Sequence, residues 1–328
     1  MSSVPQPHRR RLVFCAVLGL LLCGAGGESE RFKVVAYVPN WIDLKQFSKQ
    51  IDYKKLTHIN IAFENPINDQ GELSFHPDDA LIIRSAREHH VKVLVSIGGG
   101  AVSSNKELNA RYIDLLSPAK RALFAKSLAD YVVEHDFDGL DVDIEGSLIT
   151  DTYGPFITEL TQVLKPHNKL LTAAFSQGYG GKQVPTSVFD QFDFINVMAY
   201  DAAGPWNPNE PGQHSSLAFS KRSVEYWRTR GLANSKIVLG VPFYGYGFGK
   251  AFKPAGYSYK SIVKQYPGAE KFDEIGETIW YNGIESIKTK TKSAKEDGLG
   301  GIMIWSLDND ATGEKSLLTA IDQALREE

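Results

Sequence analysis

Residues 137 to 145 read Phe137-Asp138-Gly139-Leu140-Asp141-Val142-Asp143-Ile144-Glu145, and the fold follows from this stretch. Leu140, Val142 and Ile144 alternate with Asp141, Asp143 and Glu145. In an extended chain alternate side chains share a face, so the segment predicts a strand with three acids on one side and three aliphatic residues on the other. A strand buried on both faces is expected to be apolar on both. Three carboxylates on one buried face repel one another and lose hydration, which pushes at least one pKa upward. Stability does not account for that pattern. A site that needs a proton donor beside fixed negative charge does.

Two plainer readings fit less well. A charge run is usually a solvated face, but this one is threaded with aliphatic residues and preceded by Phe137. A calcium loop starting at Asp141 has Gly146 at its sixth position, as it should, yet Thr152 rather than Glu at its twelfth.

The run Asp138-Gly-Leu-Asp141-Val-Asp143-Ile-Glu145 resembles the DxxDxDxE signature of glycoside hydrolase family 18, the chitinases and their relatives. The resemblance implies an α/β fold, a (β/α)8 TIM barrel whose fourth strand is this segment, with the final Glu as catalytic acid. Two further stretches are similar to the same family. Ser96-Ile-Gly98-Gly99 resembles its SxGG motif on strand three, and Met198-Ala-Tyr200-Asp201 its Met-x-Tyr-Asp motif on strand six. Val241-Pro-Phe-Tyr-Gly245 is a softer likeness.

Length and composition agree with one barrel. The chain has 328 residues, 42% hydrophobic and 23% charged, and a barrel takes about 250. Arg9, Arg10 and Arg11 precede an apolar run from Leu12 to Leu22 and the small residues Gly24 to Gly27. That order reads as a secretory signal peptide, residues 1–27, leaving a single catalytic domain over 28–328. The apolar run is too short for a membrane span, which needs about 20 residues. A secreted, extracellular or periplasmic location is expected. Lipid attachment at Cys23 is weakly supported, because Leu22 is bulky where a lipoprotein signal prefers a small residue.

Both cysteines, Cys15 and Cys23, lie in this leader. The mature chain therefore has no disulfide and no thiolate chemistry. Neither a metal nor a cofactor is expected. Formal net charge is −3, and removing a leader with three arginines and no acids makes the chain more acidic. Nucleic acid is a poor partner for such a surface; a neutral carbohydrate is a suitable one. A monomer is expected.

Eight strands can be read in order. They are 33–39, 58–64, 91–100, 139–145, 169–177, 192–201, 236–245 and 301–308, with Tyr246 to Phe248 extending the seventh. Helices are expected over 78–90 with Asp78 as cap, over 118–135, around 156–164, over 283–297 and over 316–325. Only residues 249–300 separate strands seven and eight, so the α+β insertion of many chitinases is short or absent. His58 reads as a structural histidine.

The resemblance assigns Glu145, Asp143, Asp141 and Tyr200 as catalytic. It makes Tyr37, Phe63, Gly99, Asp138, Gln177, Met198, Asp201, Trp206 and Trp305 candidate substrate-binding residues, with Asp138 also supporting its turn. An exposed Trp206 suits stacking on a sugar, and Trp305 is the residue on which the sugar at the scissile bond rests. Trp41 fits core and sugar platform equally. The implied reaction is retaining hydrolysis of β-1,4-linked N-acetylglucosamine polymers, chitin or its oligosaccharides, with the substrate's own acetamide as nucleophile. An endo-β-N-acetylglucosaminidase acting on N-glycans and a non-catalytic chitin-binding lectin are the alternatives. No HExxH zinc motif and no GxSxG nucleophile elbow occurs.

Overall fold

Eight short β-rich runs, each apolar on at least one face, close into a parallel barrel in sequence order. The strands are Lys33–Pro39, His58–Ala62, Lys92–Gly98, Gly139–Asp143, Leu170–Phe175, Phe194–Val197, Ile237–Pro242 and Gly301–Trp305. The first pairs with the last, Val35 opposite Met303. This computed structural model describes residues 1–3 and 31–327. Residues 4–27 of the expected leader, with Cys15 and Cys23, lie outside the described residues. Among the described residues no helix is long and apolar enough to cross a membrane.

Alternation along the strands separates two apolar cores. Leu140, Val142 and Ile144 point outward into the large layer between strands and helices. Val35, Tyr37, Ala174, Phe194 and Met303 fill the barrel interior. Each fully buried aliphatic side chain contributes roughly 1.5–3 kcal/mol relative to exposure. The outward face of strand four thus offsets part of the cost of its inward acids.

Register then decides which inward side chains meet. Ser96 and Thr172 stand level with Asp141 on the flanking strands, and Gly98 stands level with Asp143. His58 is buried, bonded through its ring Nδ1 to the Thr57 hydroxyl at 2.8 Å. Burial, then Lys33 and Lys92, pushes its pKa down to about 3, so it is a neutral structural residue.

Several expectations need correction. Asp78 occupies the N-cap of helix Asp79–Glu88 without a side-chain cap bond; it faces Lys45 at 3.8 Å instead. Two helices, Ala101–Ser104 and Lys106–Leu115, precede Arg121–Glu134 in the third connection. The second of these is started by Asn105, whose Oδ1 accepts from Leu108 N. The chain also leaves the barrel after strand seven rather than extending it. Tyr244–Gly247 begins a four-stranded antiparallel sheet with Tyr257–Ser258, Ile279–Trp280 and Glu274–Ile275. The insertion is therefore short but present, and it walls one side of the barrel mouth.

Candidate active site

Glu145 follows the C-terminal end of strand four, the end of the barrel where such folds place their chemistry. It opens onto a cleft of about 310 Å³. Tyr37, Phe63, Asp143, Met198, Tyr200, Asp201 and Trp305 line the same cleft, as do Tyr244, Tyr246, Tyr257 and Asn309.

Asp141 lies one layer deeper and is fully buried. Its Oδ2 accepts the hydroxyls of Tyr37 and Ser96, both at 2.7 Å. Its Oδ1 accepts Thr172 Oγ1 at 2.6 Å and Asn196 Nδ2 at 3.3 Å. Four donors match the four acceptor sites of an ionised carboxylate. Burial raises the Asp141 pKa and these bonds oppose the rise. Asp143 has no such support. Its Oδ1 is buried without a partner, and burial, then Glu145 and Asp141, drive its pKa well up. The three carboxyls are all raised by burial and titrate as a coupled set rather than as independent acids.

Glu145 is itself pushed up to about 7, by burial first and the Asp201 charge second. Asp201 sits at φ 63, in the left-handed region that Asp tolerates better than most side chains. Its Oδ1 accepts the hydroxyls of Tyr244 at 2.5 Å and Tyr246 at 3.1 Å. The buried ring of His214 stands 3.6 Å from the same oxygen. Behind this segment, the buried Lys290 ammonium donates to Ser215 O at 2.5 Å, Ser215 Oγ at 2.7 Å and Asn282 Oδ1 at 2.7 Å. Ser215 Oγ donates to the carbonyl of Ala199, next to Tyr200. The Tyr200 hydroxyl has only a weak contact, 3.9 Å to Met303 Sδ, which leaves it free to bond a ligand.

Aromatic rings continue the cleft on one side. Trp305 stacks on Phe63 at 5.8 Å and meets the edge of Tyr37 at 5.3 Å. Phe63 in turn stacks on Trp41 at 6.4 Å, and Trp41 is 64% exposed. Trp41 is thus a rim residue, not core. Gly98 and Gly99 explain their own identities: a Cβ at Gly98 would meet Asp143 O at 2.2 Å, and one at Gly99 the Phe63 ring at 2.4 Å. Gly99 therefore seats Phe63 rather than a ligand.

Two candidate residues fall elsewhere. Asp138 precedes strand four, at the opposite end from Glu145. Its Oδ2 accepts from Val93 N at 2.8 Å, so it ties the strand's entry and does not reach substrate. Gln177 is outside the cleft lining, in the loop after strand five. Trp206 is 60% exposed at the rim, edge-on to Tyr246 at 5.5 Å. The tyrosines of the insertion and His214 were not anticipated. The alternation Tyr244-Gly-Tyr246 was the available signal, since it puts both rings on one face of a strand. Among the described residues no group of three or more His, Cys, Asp or Glu is arranged to hold a metal.

Comparison with known proteins agrees with this geometry. The family model described as glycosyl hydrolases family 18 matches residues 33–310. Chitotriosidase-1 of Mus musculus is 27% identical, over 91% of this chain and 77% of its own. The crystal structure of the chitinase ChiB of Flavobacterium johnsoniae is similar with a TM-score of 0.83 and 36% identity, covering 90% of this chain and 94% of that one. A chitinase of Bacteroides thetaiotaomicron is similar at TM-score 0.78 and 26% identity, over 91% and 98% of the two chains. The chain belongs to glycosyl hydrolases family 18 and is a glycosidase on a (β/α)8 barrel.

Proposed function

We propose that the protein is a secreted chitinase, cleaving β-1,4-linked N-acetylglucosamine polymers with retention of configuration. The observation that carries this reading is Glu145 in the cleft, its carboxyl pushed up to about 7, beside Asp143 with an unpartnered buried oxygen. The solved chitinases that the chain resembles support the substrate class. The basic and apolar leader supports export.

Glu145 donates its proton to the glycosidic oxygen. The acetamide oxygen at C2 of the same sugar attacks C1, and the leaving sugar departs with that proton, giving an oxazolinium ion. On substrate binding Asp143 passes its proton to Glu145 before the glycosidic oxygen is protonated, so that its carboxylate accepts the acetamide N–H and its charge balances the cation. Asp141 stays ionised among its four donors and keeps negative charge beneath Asp143. Tyr200 donates to the acetamide from the other side. Glu145, now a base, takes a proton from the water that opens the ring. Proton transfer of this kind contributes on the order of 10²–10⁴-fold. The substrate supplies the nucleophile, so no second carboxylate needs to reach C1.

The test is an assay of the purified mature chain on N-acetylglucosamine oligomers, fully deacetylated chitosan and a high-mannose glycopeptide. Cleavage of the acetylated oligomers alone is expected. Equal cleavage of chitosan would refute acetamide participation, and preference for the glycopeptide would reassign the substrate.

A further inference from the structure

Behind the aromatic wall of the cleft lies a second group of acids. Phe63 lines the cleft and stacks between Trp305, at 5.8 Å, and the exposed Trp41, at 6.4 Å. The chain neighbours of these rings are tied together beneath them. Asn40, next to Trp41, donates through Nδ2 to the Phe63 carbonyl at 3.2 Å and to Glu64 Oε1 at 2.9 Å. Glu64, next to Phe63, also accepts from His76 N at 2.9 Å and from the Ser74 hydroxyl. These donors are all neutral, and together they occupy both oxygens of an ionised carboxylate.

Asp79 comes up beside Glu64 from the first turn of helix Asp79–Glu88. It is 1% exposed, and both its oxygens are buried without a donor. A helix N-terminus favours charge, yet no backbone N–H reaches this carboxyl. His76 Nδ1 stands 3.9 Å from Asp79 Oδ1, beyond hydrogen-bond range. Asp78 adds like charge and is itself 3.8 Å from Lys45. The Tyr131 phenol, from helix Arg121–Glu134, is pushed up by burial and then by Glu64 and Asp79, so it stays neutral. Nothing around Asp79 therefore compensates a negative charge. Burial first, then the Glu64 charge, raises its carboxyl to about 8. Such a pair is a poor device for stability alone, and its place under the cleft wall gives it another use.

We propose that Asp79 is a positioning residue for the substrate: with its proton on, it leaves Glu64 free to hold Asn40 and Phe63, and with its proton lost to solvent, it drives Glu64 off them and loosens the aromatic wall. The inference rests on the oligosaccharide substrate proposed above. Two buried carboxylates side by side repel. Asp79 is fixed by its helix, whereas Glu64 is held only by neutral donors, so Glu64 yields. The Asn40 amide then loses one of the two acceptors that orient it. Phe63 and Trp41 must in that state be ordered by the ligand, which lowers affinity. Glu145 is not touched, so the effect falls on binding and not on proton donation.

The test is calorimetric binding of an N-acetylglucosamine hexasaccharide to Glu145→Gln and to Glu145→Gln/Asp79→Asn. It is run at about pH 6 and about pH 10, on either side of the value of about 8 at which Asp79 titrates. Glu145→Gln removes turnover and the titration of Glu145 itself. Asparagine keeps the shape of Asp79, can donate to Glu64 and cannot ionise. Between the two pH values the dissociation constant of the single variant is expected to rise about tenfold more than that of the double variant. Equal pH dependence in the two overturns the proposal. Infrared difference spectra between the parent and Asp79→Asn at neutral pH are expected to contain the C=O band of a protonated carboxyl; a carboxylate band alone overturns it as well. Absence of binding by both variants at both pH values would refute the oligosaccharide substrate and, with it, this inference, even where the infrared band is present.

Discussion

The Tyr37 hydroxyl donates to Asp141 Oδ2 at 2.7 Å, linking the first and fourth strands through the barrel interior. Asp141 has no access to solvent, so every donor it loses leaves part of a buried carboxylate unpaired. Tyr37→Phe keeps the ring against Trp305 and deletes only that donor. The expected loss is about 1.5–3 kcal/mol of stability, the range for a bond to a charged group. Urea denaturation measures it, and kcat should fall because Asp141 no longer holds its charge as firmly. Unchanged stability would mean that the bond is redundant.

In the proposed mechanism Glu145 is the acid, so activity requires its protonated form. With its carboxyl pushed up to about 7, the basic limb of kcat/KM against pH should fall through that value. Asp201→Asn removes the like charge that is the second cause of the rise. The limb should then move to lower pH, but only partway, since burial is the larger cause and remains. A limb that stays put or moves up would show that Asp201 does not act on Glu145.

A second acidic pair carries a signature of the same sign, in stability rather than activity. Asp79 is buried with both carboxyl oxygens unpartnered, next to Glu64. Glu64 takes the donors instead, from Asn40 Nδ2 and His76 N, both at 2.9 Å. Burial first, then the Glu64 charge, pushes Asp79 from 3.8 up to about 8. Between these values the folded chain keeps a proton that the unfolded chain releases, so stability falls as pH rises across the window. Asp79→Asn removes the titration. Its melting temperature at pH 8 should exceed the parent's by about a few degrees, and the pH dependence should flatten. A lower melting temperature for the variant would contradict this.

Lys290 supports the segment that carries Tyr200 and Asp201. Lys290→Met leaves Ser215 Oγ and Asn282 Oδ1 without their buried donor, at about 1–3 kcal/mol per unsatisfied group, while Ser215 O keeps the Asn282 amide. Ser215 holds the Ala199 carbonyl, so kcat should drop more than KM rises. A variant with wild-type kcat but lowered stability would confine Lys290 to a structural role.

How far the sequence carried the reading depended on the length of each element. The eight barrel strands were legible because each has four to seven residues with inward and outward positions that differ. The antiparallel sheet of the insertion was not, because three of its strands have only two residues, too few for a period to appear. Motif spacing located Glu145, Asp143 and Tyr200, which share one strand end or one barrel mouth. It misplaced Asp138, because a motif fixes residue type and not which end of the strand meets substrate. Gln177 shows the same limit, because residue type alone does not say whether a loop side chain lines the cleft.

The most direct measurement is turnover of an N-acetylglucosamine hexasaccharide by Glu145→Gln, with binding of the same ligand followed by calorimetry. The amide matches the carboxyl in shape but has no proton to give. Turnover should fall on the order of 10²–10⁴-fold while the dissociation constant stays close to that of the parent. Turnover near the wild-type rate would contradict the account, because the proton would then come from another group.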